Sequence, residues 1–123
     1  MVNTFDWVEI RTEDIEKTAE FYEKLFGWTV TQKIDAEGTP YWIFDTGDTP
    51  REENIRRGAF WLRPHERPGT VVYILVDDID TMVQKVKELG GRIIKEKTHV
   101  DSQRFKAYIT DPCGTMIGLW EEK

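Results

Sequence analysis

Glu9 follows Trp7 by two residues and Phe5 by four, and on an extended strand those three side chains share one face. A carboxylate set among aromatic rings is reluctant to ionise unless paired, which suits it to general acid or base work. Its simpler role is a salt bridge at the strand edge, with Arg57 or Arg104 as the partner. A single carboxylate without an identified partner weighs toward that simpler role. The two histidines, His65 and His99, fall in expected loops, and a metal site would need those loops to converge with Asp101 or Glu66. Histidines so placed are more often solvated, so no metal is expected there. Cys113 sits in the tight turn Asp111-Pro112-Cys113-Gly114 with no histidine partner in view, and reads as a small turn residue rather than a nucleophile.

The elements that must position these residues repeat at an offset of 64 residues. Asp14, Ile15 and Glu16 match Asp78, Ile79 and Asp80, and Gly27 matches Gly91. Between them Ala19 meets Val83, Tyr22 meets Val86 and Leu25 meets Leu89. Each half reads as strand, helix, then three strands. Phe5 to Ile10 is the first strand, with Thr12 as helix N-cap and Glu13 and Asp14 in the first turn. The helices are expected over Glu13 to Phe26 and Ile79 to Leu89. Their apolar stripes are Ile15, Ala19, Tyr22 and Leu25 or Phe26, then Ile79, Met82 or Val83, Val86 and Leu89. Strands follow over Trp28 to Ile34, Tyr41 to Asp45 and Ile55 to Leu62, with a turn at Glu37-Gly38-Thr39-Pro40 and a polar loop over Thr46 to Asn54. In the second half they span Val71 to Val76, Arg92 to Lys97, Phe105 to Thr110 and Met116 to Trp120. The prolines and glycine of Arg63 to Gly69 mark a linker, giving one domain with modules 1–62 and 70–123 joined by residues 63–69.

This order resembles the glyoxalase, bleomycin-resistance and extradiol-dioxygenase superfamily, the vicinal oxygen chelate fold. The segments that carry the resemblance are Trp7-Val8-Glu9-Ile10 with Asp14, Phe21-Tyr22, and Leu25-Phe26-Gly27-Trp28. In the second half they are Val76-Asp77-Asp78-Ile79, Leu89-Gly90-Gly91, and the Asp111 to Gly114 turn followed by Gly118-Leu119-Trp120. The resemblance implies an α+β fold of two βαβββ modules forming a curled mixed sheet around a cavity, and a dimer. It also implies a divalent metal held by His, Glu or Gln on inward strand positions. Those positions fall on Trp7, Val71 and Gly118, none of which can ligate through its side chain. That departure takes away the main reason to carry over lyase or dioxygenase chemistry, and no cofactor is expected.

If Trp7 faces the cavity, alternation adds Phe5 and Glu9, then Val71, Tyr73 and Leu75, then Met116, Gly118 and Trp120. Trp61 and one of Tyr41 or Trp42 join them. The helix-facing set, Val8, Ile10, Val72, Ile74, Val76, Ile117 and Leu119, is aliphatic. The aromatic rings either fill the space of a lost metal site or form a platform for a planar ligand, with equal weight. The ligand-lining residues are thus Phe5, Trp7, Tyr41, Trp61, Val71, Tyr73, Met116, Gly118 and Trp120, with Glu9 as the candidate acid or base. One class of function is a metal-independent small-molecule-binding protein. The other is a glyoxalase-like lyase or isomerase acting on a small carbonyl compound through Glu9, with Tyr73 as a candidate aid; a purely structural or protein-interaction role is weaker than either.

Composition limits the alternatives. A net charge of −6 argues against nucleic acid, and the arginines at 51, 56, 57, 63 and 67 read as scattered surface residues rather than a basic patch. No run is long and apolar enough for a membrane span, and no basic-then-apolar leader opens the chain. One cysteine precludes an internal disulfide and favours a reducing, cytoplasmic compartment. Four-stranded sheets with exposed edges and an aromatic crevice favour a homodimer.

Overall fold

Residues 3–47, 57–66 and 68–123 are described by a computed structural model. The chain divides into two compact units, Trp7–Thr70 and Met1–Asp6 with Val71–Lys123. In chain order the elements are β1 (Thr4–Thr12), α1 (Ile15–Phe26), β2 (Thr29–Ala36), β3 (Thr39–Asp45) and β4 (Arg57–Leu62). The order then repeats as β5 (Gly69–Leu75), α2 (Ile79–Glu88), β6 (Arg92–His99), β7 (Arg104–Thr110) and β8 (Met116–Glu122). In the first unit the strands run β2-β3-β4-β1, antiparallel except for the parallel β4–β1 pair. In the second they run β5-β8-β7-β6, antiparallel except for the parallel β5–β8 pair. The fold is therefore α+β with two βαβββ modules, as the repeated sequence pattern and the resemblance imply.

Each helix covers one face of its own sheet. Ile15 and Ala19 of α1 pack on Phe44 and Phe60 of the sheet, joined by Ile10, Tyr22, Trp28 and Trp42. Tyr22, Trp28 and Phe44 stack in series, with centroids 5.1 Å apart at each step. This core is aromatic, not aliphatic as alternation alone suggests, because β3 and β4 contribute Trp42, Phe44 and Phe60 and α1 and the turn after it contribute Tyr22 and Trp28. It also requires a glycine: a Cβ on Gly58 would stand 2.1 Å from the Val8 carbonyl oxygen and 3.0 Å from the Phe44 ring. Under α2 the core is aliphatic apart from Phe105, with Val76, Ile79, Val83, Ala107 and Leu119.

Several local expectations are corrected. Asp14, not Thr12, caps α1, accepting the Lys17 N–H at 3.1 Å. Thr12 ends β1 and ties the strand to the helix, its Oγ1 lying 2.7 Å from Thr18 Oγ1 and accepting the Asp14 N–H at 3.1 Å. The buried stripe of α1 stops at Tyr22, since Leu25 and Phe26 are exposed; Leu89, beyond the end of α2, is 77% exposed. Gly27 closes α1 in the left-handed region, φ 77°, as expected. Glu37 and Gly38 both have positive φ, so they form the two-residue hairpin turn and Thr39 already belongs to β3. His99 is the last residue of β6, packed on the Phe105 ring at 4.5 Å, rather than a loop residue. The polar loop from residue 48 to 54, Ile55, and Arg51, Arg56 and Arg67 lie outside the described residues.

Candidate functional site

Alternation on three neighbouring strands of the first unit builds the side of the sheet away from α1. The β1–β4 register pairs Glu9 with Ala59 and Arg11 with Trp61, and the β3–β4 register pairs Tyr41 with Trp61. Trp7, Glu9, Arg11, Tyr41, Ala59 and Trp61 therefore share a face. Trp42 points the other way, into the α1 core, so the sequence's choice between Tyr41 and Trp42 falls to Tyr41.

A chain of hydrogen bonds crosses this face. The Trp7 indole N–H donates to the Tyr41 hydroxyl at 2.8 Å, and that hydroxyl donates to Glu9 Oε2 at 3.2 Å. Arg11 Nε donates to Glu9 Oε1 at 2.9 Å. Glu9 is only 2% exposed, so a nearby guanidinium is what makes its burial tolerable. The partner is Arg11, two residues along the same strand, and neither Arg57 nor Arg104. The same i, i+2 alternation that put Glu9 beside Trp7 was the signal for Arg11. Beyond it Arg11 Nη1 reaches Glu66 at 3.8 Å, and Glu66 pairs with Arg63.

Trp61 is packed rather than open. It is 3% exposed, and its indole N–H reaches Thr39 Oγ1 at 2.9 Å and the Ala36 carbonyl at 3.3 Å. Tyr41 meets it edge-on at 5.7 Å, and the guanidinium groups of Arg11 and Arg63 lie 5.3 and 4.2 Å from its ring centroid. Trp7 and Tyr41 are half-buried, while Trp61 and Glu9 beside them are buried. A separate open groove of about 450 Å³ lies on the helix side, between α1 residues Lys17, Thr18, Phe21 and Tyr22 and the segment 68–70. Arg11 alone contributes to both.

In the second unit Tyr73, Tyr108 and Trp120 form their own cluster. The two tyrosine hydroxyls are 2.5 Å apart, and Trp120 stands edge-on to Tyr73 at 6.1 Å. Tyr108 was not singled out from the sequence, although it lies opposite Gly118 in the β7–β8 register. Val71 is buried, Met116 is half-buried and Phe5 is 68% exposed. His65 is exposed in the turn after β4, and Cys113 is exposed in the Asp111 turn.

The metal implied by the resemblance does not fit the residues at its positions. The indole nitrogen of Trp7 is a donor with no lone pair for a cation, and it is engaged with Tyr41. Val71 is aliphatic. At Gly118 a Cβ would fall 2.6 Å from Tyr73 Cδ2, so the Tyr73 ring holds the space that a longer residue would need. Among the described residues no three His, Cys, Asp or Glu side chains gather into a metal-binding group.

Residues 4–119 match the family described as the Glyoxalase/Bleomycin resistance protein/Dioxygenase superfamily. The chain belongs to that superfamily. It is 29% identical, across 96% of its length, to a Mycobacterium tuberculosis protein named "Putative glyoxylase CFP32". It is 27% identical, across 94% of its length, to the anthracycline biosynthesis protein DnrV of Streptomyces peucetius. The chain spans less than half of each, 45% and 46% respectively. In fold it is similar to Streptomyces coelicolor methylmalonyl-CoA epimerase, with a TM-score of 0.71 and 17% identity over 99% of both chains.

Proposed function

We propose that this chain is a metal-independent small-molecule-binding protein of the glyoxalase and bleomycin-resistance type, acting in the cytoplasm as a homodimer. The observation that carries the reading is the Trp7–Tyr41–Glu9–Arg11 chain of hydrogen bonds. It fixes two half-buried aromatic rings in place, and partly exposed aromatic surface of this kind suits a planar ligand. Both oxygens of Glu9 already accept a hydrogen bond, so the carboxylate serves as an anchor for those rings. The relative named for anthracycline biosynthesis supports a fused-ring ligand class. A single cysteine, exposed and unpaired, supports a reducing compartment.

A second reading rests on the Tyr41–Glu9 contact, which could pass a proton to or from a carbon acid, as an epimerase or lyase acting on a small carbonyl compound requires. Glu9→Gln separates the two. Under the binding reading a planar aromatic ligand quenches tryptophan fluorescence, Trp7→Ala weakens that binding more than Trp28→Ala does, and Glu9→Gln keeps most of the affinity. Deuterium wash-in at the α-carbon of methylmalonyl-CoA that is lost in Glu9→Gln would establish the enzyme instead.

A further inference from the structure

Arg57 opens β4 directly opposite Trp7. Val8 pairs with Gly58 and Glu9 with Ala59, so Trp7 and Arg57 are the next pair back and lie on the Glu9 face. The Arg57 guanidinium stands 5.9 Å from the Trp7 ring centroid. Among the described residues the other two guanidinium groups on this face are matched by acids, Arg11 by Glu9 and Glu66, and Arg63 by Glu66. Among the described residues Arg57 has no carboxylate at ion-pair distance. Asp45, its register partner on β3, turns its Oδ1 to the Gly47 N–H at 2.9 Å.

We infer that the molecule held at this face is a planar aromatic acid, its ring against Trp7 and its carboxylate on Arg57; the inference rests on the binding reading above. An aromatic contact uses the face of a guanidinium and leaves its N–H edge for a carboxylate, which that edge matches with two parallel donors. The half-buried indole beside it supplies the stacking surface. The overall charge of −6 favours a cation at long range. Salt screens that field beyond about 8 Å at physiological ionic strength, and within that radius the guanidinium decides.

The probes are 2-naphthoate and its neutral isostere 2-naphthamide, titrated by calorimetry into the full chain. Naphthoate is expected to bind about fivefold tighter or more, as a charge-assisted hydrogen bond at a partly exposed site allows. Arg57→Leu removes that preference, Arg57→Lys keeps part of it, and Asp45→Asn enlarges it. Raising NaCl from about 50 mM to about 500 mM weakens naphthoate and leaves naphthamide nearly unchanged. Equal affinity for the two probes, or a preference that survives Arg57→Leu, overturns the inference while the binding reading stands. If neither probe binds wild type but other planar ligands do, the inference alone falls. If no planar aromatic ligand binds at all, the binding reading falls with it.

Discussion

At the scale of the residue, this protein handles its buried charges in two ways. Glu9 is compensated by Arg11, and Glu121, 1% exposed, accepts the Ile79 backbone N–H at the start of α2 at 2.7 Å, with Lys97 at 3.5 Å. Among the described residues Asp6 has no such partner. Burial first, and the neighbouring Glu122 second, hold its carboxyl above the usual 3.8. A carboxyl whose value is raised by folding binds its proton more tightly in the folded chain than in the unfolded one. Its contribution to stability is therefore fullest below 3.8 and falls as pH rises through the raised value. Asp6→Asn is expected to raise the urea midpoint near pH 7 and to converge with wild type as the medium is acidified toward 3.8. A lower midpoint for the variant at neutral pH would contradict this. From sequence Asp6 carried no such signal, because its surroundings come from a strand more than a hundred residues away. Glu9 was legible as a buried carboxylate because its aromatic neighbours are local.

At the scale of the element, the two helices were readable because their spacing, N-terminal acids and terminal glycine are local signals. What covers them was not. The ladder under α1 brings together Tyr22 and Trp28 with Phe44 and Phe60, and only the strand order makes those neighbours. The choice between Tyr41 and Trp42 was hidden for the same reason. It depends on the β3–β4 register, which sets Tyr41 opposite Trp61 and which strand alternation cannot foresee. Phe60 sits at the centre of the ladder, almost wholly buried, 4.5 Å from Phe44 and 5.7 Å from Tyr22. Phe60→Ala is expected to cost about 3–5 kcal/mol in urea unfolding, through lost contacts and the cavity left behind. Glu23→Ala, on the exposed side of α1, is expected to change stability by no more than about 0.5 kcal/mol. Similar losses in the two variants would show that the aromatic ladder is not the core of this unit.

At the scale of the whole molecule, the offset repeat carried the architecture, since each half builds the same strand order and the same single helical cover. The proposed homodimer belongs at this scale, and its support is an exposed apolar surface at the C-terminal half of α1. Phe21 and Leu25 lie one turn apart on α1, each 57% exposed, with Phe26 equally exposed beside them. Side chains at that spacing share one side of the helix, and an exposed apolar stripe is the kind of surface that a second copy would cover. The charge of −6 on each copy opposes self-association, so the dimer should tighten with added salt, as expected when apolar contact drives assembly and repulsion resists it. Sedimentation equilibrium at roughly tens of micromolar, on the affinity scale of weak to moderate complexes, is expected to give a dimer. Leu25→Glu should shift it to monomer without loss of helical circular dichroism, because the position is not part of the α1 core. A wild-type chain that sediments only as monomer, at low and high salt alike, rules the homodimer out. A dimer that survives Leu25→Glu places the contact on another surface.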